Sequence, residues 1–382
     1  MIVKILGAES LGVRGLCCVV KLKNRKICID PGIALGWSRQ GFLPHPFQIA
    51  VGAGIRKNII DELKEATDVI ISHFDGDHCP LLHPNPYQMG IEEVKDSLSQ
   101  CRIWAKGHDH CPLTQKKRRE ELAESLNRDL FNAEGVKEHQ LEFSVPVPHG
   151  QQIAEEHRVM MSRIEEDGKT FVHASDIQLL NENTIEIILN WKPDIVFVSG
   201  PPLYHYALPS HQVQREHAWE NAIRLSEQIG TLIIDHHLLR SEEGIAWLEK
   251  LKRTARHKIY CAADFMERTP LFLEAWRKAL YEWLPVSEDW HENYQHGKID
   301  VRDYRIRGWD VLISWGKIKP CKWYDACPMK AYTKQGKLER YWIENYCLVD
   351  NHRHCLRYQM EEQGQYHPDF MLPNGETRKD LQ

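Results

Sequence analysis

A chain of 382 residues is long enough for one large domain or for two, and its 42% hydrophobic residues can fill a substantial core. A formal net charge of −5 gives no global electrostatic case for a nucleic-acid binder, although a local basic groove stays open. No apolar run reaches the ~18 residues of a membrane helix, and the opening MIVKILGAESLG lacks the basic, apolar and cleavage segments of a signal peptide. The expectation is a cytoplasmic protein with no membrane partner, whose eleven cysteines sit where clusters mean metal or catalysis more often than disulfides.

The segments MIVKIL, CCVVKL and KICID read as short strands, the last two flanking a polar Lys23-Asn24-Arg25 turn, and Asp30-Pro31-Gly32 closes the hairpin. Residues 66–72 (ATDVIIS) have a buried-strand pattern, and 101–106 a weaker one. Residues 113–128 are charged at helical spacing, and EFSVPV is a strand broken by prolines. Residues 157–164 and 169–174 flank an Asp-Gly hairpin turn. Alternation follows: a helix near 181–190 before PDIVFVSG, another near 214–228 before TLIID, and a third near 242–254 before HKIYCA. Hairpins followed by helix–strand alternation predict a mixed α/β fold, an αββα sandwich. The domain reading is 1–285 for this sandwich, 286–320 for a linker or extension with little periodicity, and 321–382 for a small cysteine-rich module that needs a staple to fold.

His73, Asp75, Asp77 and His78 lie just past the 66–72 strand. On an extended loop His73 and Asp75 can share one ion, while Asp77 and His78 reach a second. Imidazole nitrogens and carboxylate oxygens suit zinc, iron or manganese. Two ions ~3.5–4 Å apart can activate water and polarise a substrate oxygen. His108-Asp109-His110-Cys111 also looks ligand-like, but helix capping by Asp109 is a sufficient account of it.

The 73–78 segment resembles the His-x-His-x-Asp-His signature of the metallo-β-lactamase superfamily, with Asp75 in place of the second His. The resemblance covers about residues 1–265. It implies that His149, Asp176 as the bridging carboxylate, and His236 or His237 complete the metal set, with Asp30 behind the ligands. AESLGVRGLCC, IDPGIALG and DHHLLR look like one largely archaeal branch, which implies no particular substrate. Asp75 adds negative charge and favours harder ions; flavodiiron proteins of the same superfamily carry Glu at this position and bind iron. By the same resemblance Asp77 can take a proton from the attacking water. Candidate substrate contacts are the Gly200–Tyr204 turn, Tyr204 itself, His205, His211 and Arg240, whose guanidinium can clamp a phosphate or carboxylate.

Cys321, Cys327, Cys347 and Cys355, spaced C-x5-C-x19-C-x7-C, can hold a [4Fe–4S] cluster or zinc. Spacings wider than C-x2-C speak against a simple zinc knuckle, and the reading leans to the cluster; a core of free thiols is the plain alternative. The other seven cysteines read as small core hydrophobes. These features lead to a metal-dependent hydrolase with a dinuclear site, acting on phosphodiesters of nucleic acid or nucleotides. Two alternatives stand beside it: an iron-dependent redox enzyme acting on oxygen or sulfur species, and a non-catalytic metal-binding protein.

Overall fold

The computed structural model describes residues 1–150, 157–205, 211–349 and 351–381. Two compact units divide the chain: Met1–Ala262 with Leu271–Val301, and Ala263–Pro270 with Arg302–Gln382.

The first unit is built on two sheets. Strands β1 (Ile2–Gly7), β2 (Cys17–Lys21), β3 (Lys26–Ile29), β4 (Asp68–Ile71), β5 (Arg102–Ala105) and β6 (Phe131–Asn132) form one in that spatial order, antiparallel through β3 and parallel beyond it. Strands β7 (Lys137–Glu138) and β8 (Leu141–Phe143) enter the other, and β9 (Val147–Pro148) pairs with β10 (Arg158–Val159) as a separate ribbon. Strands β11 (Ser162–Glu166), β12 (Lys169–Ala174), β13 (Ile195–Ser199), β14 (Thr231–Asp235) and β15 (Lys258–Tyr260) complete the second sheet, in the order β15-β14-β13-β12-β11-β8-β7. Its β12–β15 half is parallel and its β7–β11 half antiparallel.

The sheets pack face to face. Trp104 of β5 stacks on Phe143 of β8 with ring centroids 5.4 Å apart, and His173 of β12 meets the Leu16 carbonyl through Nε2 at 2.9 Å. Helix Pro46–Leu63 packs on β1, and Gln212–Gln228 and Glu242–Thr254 pack on β14 and β15, which makes the unit the expected αββα sandwich. Strands β4, β13 and β14 are buried nearly throughout, as parallel strands covered on both faces are.

Helix Pro46–Leu63 has no counterpart in the sequence reading, for a physical reason. Its buried stripe runs Gln48, Gly52, Ile55, Ile59, Leu63, so two of the five positions carry no apolar signal. It starts where His45 Nδ1 accepts from the Phe47 amide (3.1 Å) and Pro46 takes the first turn. Asp109 does not cap the helix Leu113–Ser125: the N-cap position is Pro112, and the Asp109 carbonyl instead accepts from the buried Lys106 ammonium at 2.7 Å.

The second unit is helical. It holds Arg302–Ser314, Pro328–Lys334, the π-helical Ile343–Cys347 and Leu356–Glu362 around Met329, Leu338, Ile343, Leu372 and Leu381. Helices therefore occupy part of 286–320, at Trp290–Gln295 and Arg302–Ser314, the one closing the first unit and the other opening the second. No helix among the described residues is long and apolar enough to cross a membrane.

Candidate metal centre

Every residue of the centre stands just beyond the end of a strand. Asp30 follows β3, His73 follows β4, His149 follows β9, Asp176 follows β12, and His236 and His237 follow β14. Ligands collect at such ends because parallel strands release their chains there together. Asp30, Asp176 and His236 all adopt left-handed backbone (φ 47°, 48° and 59°), a conformation that costs a non-glycine residue about 1–2 kcal/mol and clusters at functional sites.

Asp176 is the hub. Its Oδ2 lies 3.2 Å from His149 Nε2, 3.4 Å from His78 Nε2, 3.5 Å from His73 Nε2 and 3.9 Å from His237 Nε2, and its Oδ1 lies 3.6 Å from His236 Nε2. Two sets of atoms form around it. On one side His73 and His149 group with Asp176, and His149 also groups with Asp75 and His157, Asp75 Oδ2 being 3.5 Å from His73 Nε2. On the other are His78, His236 and Asp77, with His236 Nε2 3.4 Å from His78 Nε2 and 3.5 Å from Asp77 Oδ2.

The hydrogen bonds behind the rings fix their free nitrogens. The Ser72 hydroxyl donates to Asp30 Oδ2 (2.6 Å), so its oxygen accepts from His73 Nδ1 (2.9 Å) and His73 Nε2 is left bare. Asp30 Oδ2 also accepts from His78 Nδ1 (3.0 Å), which leaves His78 Nε2 bare towards Asp176. Asp30 thus orients both rings and itself contacts no substrate-facing atom. His73 Nε2 and Asp176 Oδ1 are buried and make no hydrogen bond among the described residues. Bare imidazole nitrogens and carboxylates crowded this closely, with two orphaned buried atoms, fit divalent cations and little else.

The two neighbouring histidines both lie within ligand range of Asp176 and differ in their other partners. His236 is fully buried, sits in the Asp77–His78 set, and has Glu9 Oε2 3.6 Å from its Nδ1. The Gly15 amide donates to the same Nδ1 (3.2 Å), and Arg240 Nη2 lies 3.2 Å from Nδ1 and 3.0 Å from Nε2. His237 Nδ1 meets the Ser199 hydroxyl at 2.9 Å, and the ring is partly exposed beside His149. Burial, with Arg240 nearby, pushes both rings well below the ordinary histidine range, so both are neutral.

Burial opposes charge on Asp176, yet the imidazoles around it hold its carboxyl well below the usual carboxylate range. Burial likewise opposes charge on His73, yet Asp176 and Asp75 hold it up to about 9. This His73 shift has a sign that can be measured. Raised above the ordinary 6.5, it stabilises the metal-free fold fully below about pH 6.5, and that contribution is lost as pH rises through about 9. Because a cation must displace this proton, apparent metal affinity is expected to climb roughly tenfold per pH unit over the same window. Competitive metal titrations across that range check it; a flat profile would remove His73 from the ligand set.

Of the substrate-contact candidates, Arg240 and Tyr204 come together, with Arg240 Nη1 3.4 Å from the Tyr204 hydroxyl and Nη2 3.5 Å from Asp77 Oδ2. His211 sits apart in role, at the N-cap position of Gln212–Gln228. Sequence reasoning missed His157, which stacks on His149 (centroids 4.0 Å) with Nε2 3.8 Å from Asp75 Oδ2, and Arg118, whose Nη1 lies 3.3 Å from Asp75 Oδ1. Glu9, 3.0 Å from Arg240 Nε, was missed as well. No local motif marks these residues.

In the second unit Cys321, Cys347 and Cys355 are buried and Cys327 half-buried, packed with Tyr324, Tyr332, Trp342, Tyr346, Tyr358 and Phe370 or their neighbours. Cys327 and Cys355 occupy the N-cap positions of Pro328–Lys334 and Leu356–Glu362, and the Cys321 amide donates to the Cys347 carbonyl (2.8 Å). Burial raises the Cys347 thiol, and the charges of Cys327, Cys321 and Cys355 raise it further. The remaining seven cysteines are all buried free thiols of the first unit, as small core residues should be.

An αββα sandwich with histidines and aspartates gathered at its strand ends defines a protein of the metallo-β-lactamase-like class. Within it, the chain belongs to the UPF0282 family. A UPF0282 protein of Methanosarcina mazei is 46% identical over 308 residues, covering 80% of this chain and 100% of that one. Another, PF0593 of Pyrococcus furiosus, is 33% identical over 299 residues, covering 73% and 91%. Among solved structures, Tm1679, a metal-dependent hydrolase of the beta-lactamase superfamily, is similar at 14% identity and a TM-score of 0.41, covering 68% of this chain and 94% of that one. No family model matches the chain. The Methanosarcina relative is spanned completely by four-fifths of this chain, so the remaining fifth has no counterpart in it.

Proposed function

We propose that this protein is a metal-dependent hydrolase whose dinuclear centre is held by His73, Asp75 and His149 on one side and Asp77, His78 and His236 on the other, with Asp176 shared. The observation that carries the reading is Asp176 with four histidine Nε2 atoms within 3.6 Å of its carboxylate. A pair of divalent ions (zinc, iron or manganese) would lower the pKa of a water there and polarise the group it attacks. The residues then have separable tasks. Asp77 Oδ2 accepts the proton of the attacking water, and Arg240, 3.5 Å away, steadies the developing negative charge. His237, partly exposed and neutral, would offer a hydrogen bond to the substrate, while water carries the proton to the leaving group. Phosphodiesters of nucleic acid or nucleotides are the favoured substrates, because Arg240 is placed to hold an oxyanion.

The test is a metal-loaded preparation assayed on a chromogenic phosphodiester. Asp77→Asn is expected to cut turnover by about 10²–10⁴-fold, the range for a general base. His236→Asn should lose one ion, whereas His237→Asn should keep both and lose turnover. No turnover by a fully loaded protein on phosphodiesters or esters rejects the hydrolase.

The four cysteines are proposed to hold a [4Fe–4S] cluster, with zinc as the alternative. Each of the four interacts electrostatically with the other three. Among the described residues, however, every set of three or more candidate ligand atoms within 4.8 Å of one another belongs to the histidine–aspartate centre, and none to the cysteines. Zinc at ~2.3 Å from each sulfur draws thiolates to about 3.8 Å of one another, whereas a cubane's four irons hold them wider. Protein purified without oxygen should carry about four irons and four sulfides, lost in Cys347→Ser. One zinc and no sulfide would decide for zinc. Iron in both centres, with turnover that needs an electron donor, would instead favour the redox reading that Asp75 and a cluster share.

A further inference from the structure

Beside the Asp77 edge of the centre lies a second group of charges that the hydrolytic reading leaves unexplained. Arg14 forks onto Glu274, with Nε 2.8 Å from Oε2 and Nη2 bonded to Oε1. Arg39 places Nη1 3.7 Å from Glu274 Oε1 and lies over the Tyr204 ring at 4.3 Å. Arg240 bonds Glu9 through Nε and approaches both Tyr204 and Asp77. Arg277, fully buried, donates Nη1 to the Gly36 carbonyl (2.7 Å), while its Nε and Nη2 make no hydrogen bond among the described residues. Gly36 lacks a side chain because a Cβ there would lie 2.1 Å from Arg14 Nη2.

The count does not balance: four guanidiniums face two carboxylates, Glu9 and Glu274, all in the first unit. Asp77, the next acid, is taken up by the metal set. Buried positive charge in excess is strongly destabilising unless an anion completes it. Arg39 and Arg240 meet at Tyr204, and Arg14 and Arg39 meet at Glu274, so the three border one space. They reach it from three separate segments, supplying more N–H donors than a planar carboxylate can use and suiting a tetrahedral dianion.

We propose that Arg14, Arg39 and Arg240, floored by Tyr204, form an oxyanion subsite that seats a phosphoryl group of the substrate next to Asp77. This rests on the hydrolytic reading for its meaning, since it places a phosphoester against the centre, but the subsite itself is separable from that reading. Glu274 and Arg277 are positioning residues, holding Arg14 and the Gly36 turn.

The probe is inorganic phosphate, titrated calorimetrically into the wild type and into Arg39→Gln, each with its metal content measured. The expected result is phosphate affinity at least about tenfold weaker in Arg39→Gln at equal metal content, the loss of one charge-assisted contact, with Arg39→Lys falling between. Equal affinity in both proteins overturns the subsite. Acetate bound as tightly as phosphate overturns its assignment to a phosphoryl group. If the wild type takes up no divalent metal yet phosphate binding still depends on Arg39, the subsite stands and the metal-centre reading falls.

Discussion

Asp176→Asn is expected to empty both halves of the centre and to abolish hydrolysis. The substitution keeps the side chain's size and removes its charge, so the effect isolates electrostatics. Asp176 is buried, and its Oδ2 is within 3.5 Å of His73, His78 and His149, while Oδ1 faces His236. Among the described residues, Asp176 alone lies within 3.6 Å of Nε2 atoms from both sets. An amide offers one weak oxygen donor and an N–H₂ that repels a cation, so one half-site at most can use it. Altering a group one step behind a metal ligand already costs about 10–100-fold in affinity or activity; a ligand shared by two ions must cost more. Metal analysis and turnover together check this. A variant that retains two ions and more than about a hundredth of the activity would show that the two sets do not share a bridging carboxylate. Asp30→Asn, which disturbs only the bonds to Ser72 and His78, should give the milder loss.

The contrast between what was legible and what was not follows from the physics of each residue. His73, Asp75, Asp77 and His78 stand out locally, as ligand types just past an apolar strand, whereas His149, Asp176, His236 and His237 were implied only by the resemblance. They do converge in space. The arginine cluster carried no such signal. Glu9 and Arg240 are 231 positions apart, and Arg14 and Glu274 are 260 apart, so their pairing exists only after the two sheets close. Helix Pro46–Leu63 was hidden because Gln48 and Gly52 lie in its buried stripe. Asp109 failed as a cap because the N-cap position falls three residues later, at Pro112, while the Asp109 carbonyl is held by the nearby Lys106 ammonium.

Asp75 shows how one substitution in a signature changes the neighbourhood around it. A carboxylate in place of a ring needs cations, and it has gathered His73, His157 and Arg118 within 3.8 Å. Burial opposes its charge, but His157 and His73 hold its carboxyl well below the usual range.

Gly32→Ala is expected to be among the most damaging single methyls near the centre. The loop bearing Asp75, Asp77 and His78 is pressed against Gly32, whose amide donates to the His78 carbonyl (3.1 Å). A Cβ on Gly32 would lie 2.4 Å from the His78 carbonyl carbon, 2.5 Å from the His78 nitrogen and 2.4 Å from the Cys79 nitrogen. All three are backbone atoms, so no side-chain rotation can relieve the overlap. The loop must move, and with it His78 leaves the hydrogen bond to Asp30 that aims its ring. Overpacking a rigid site costs about 1–3 kcal/mol and sometimes more; here the cost is expected at or above about 3 kcal/mol, with metal lost on the Asp77 side first. Gly54→Ala is the control, since nothing lies within 4 Å of its Cβ position in helix Pro46–Leu63. That change should stabilise by about 0.5–1 kcal/mol through helix propensity and leave the metals in place. Denaturant midpoints and metal content for the two variants decide the matter. Equal stability would mean that the 75–79 loop is free to shift, and the tight geometry drawn for His78 and Asp77 would have to be abandoned.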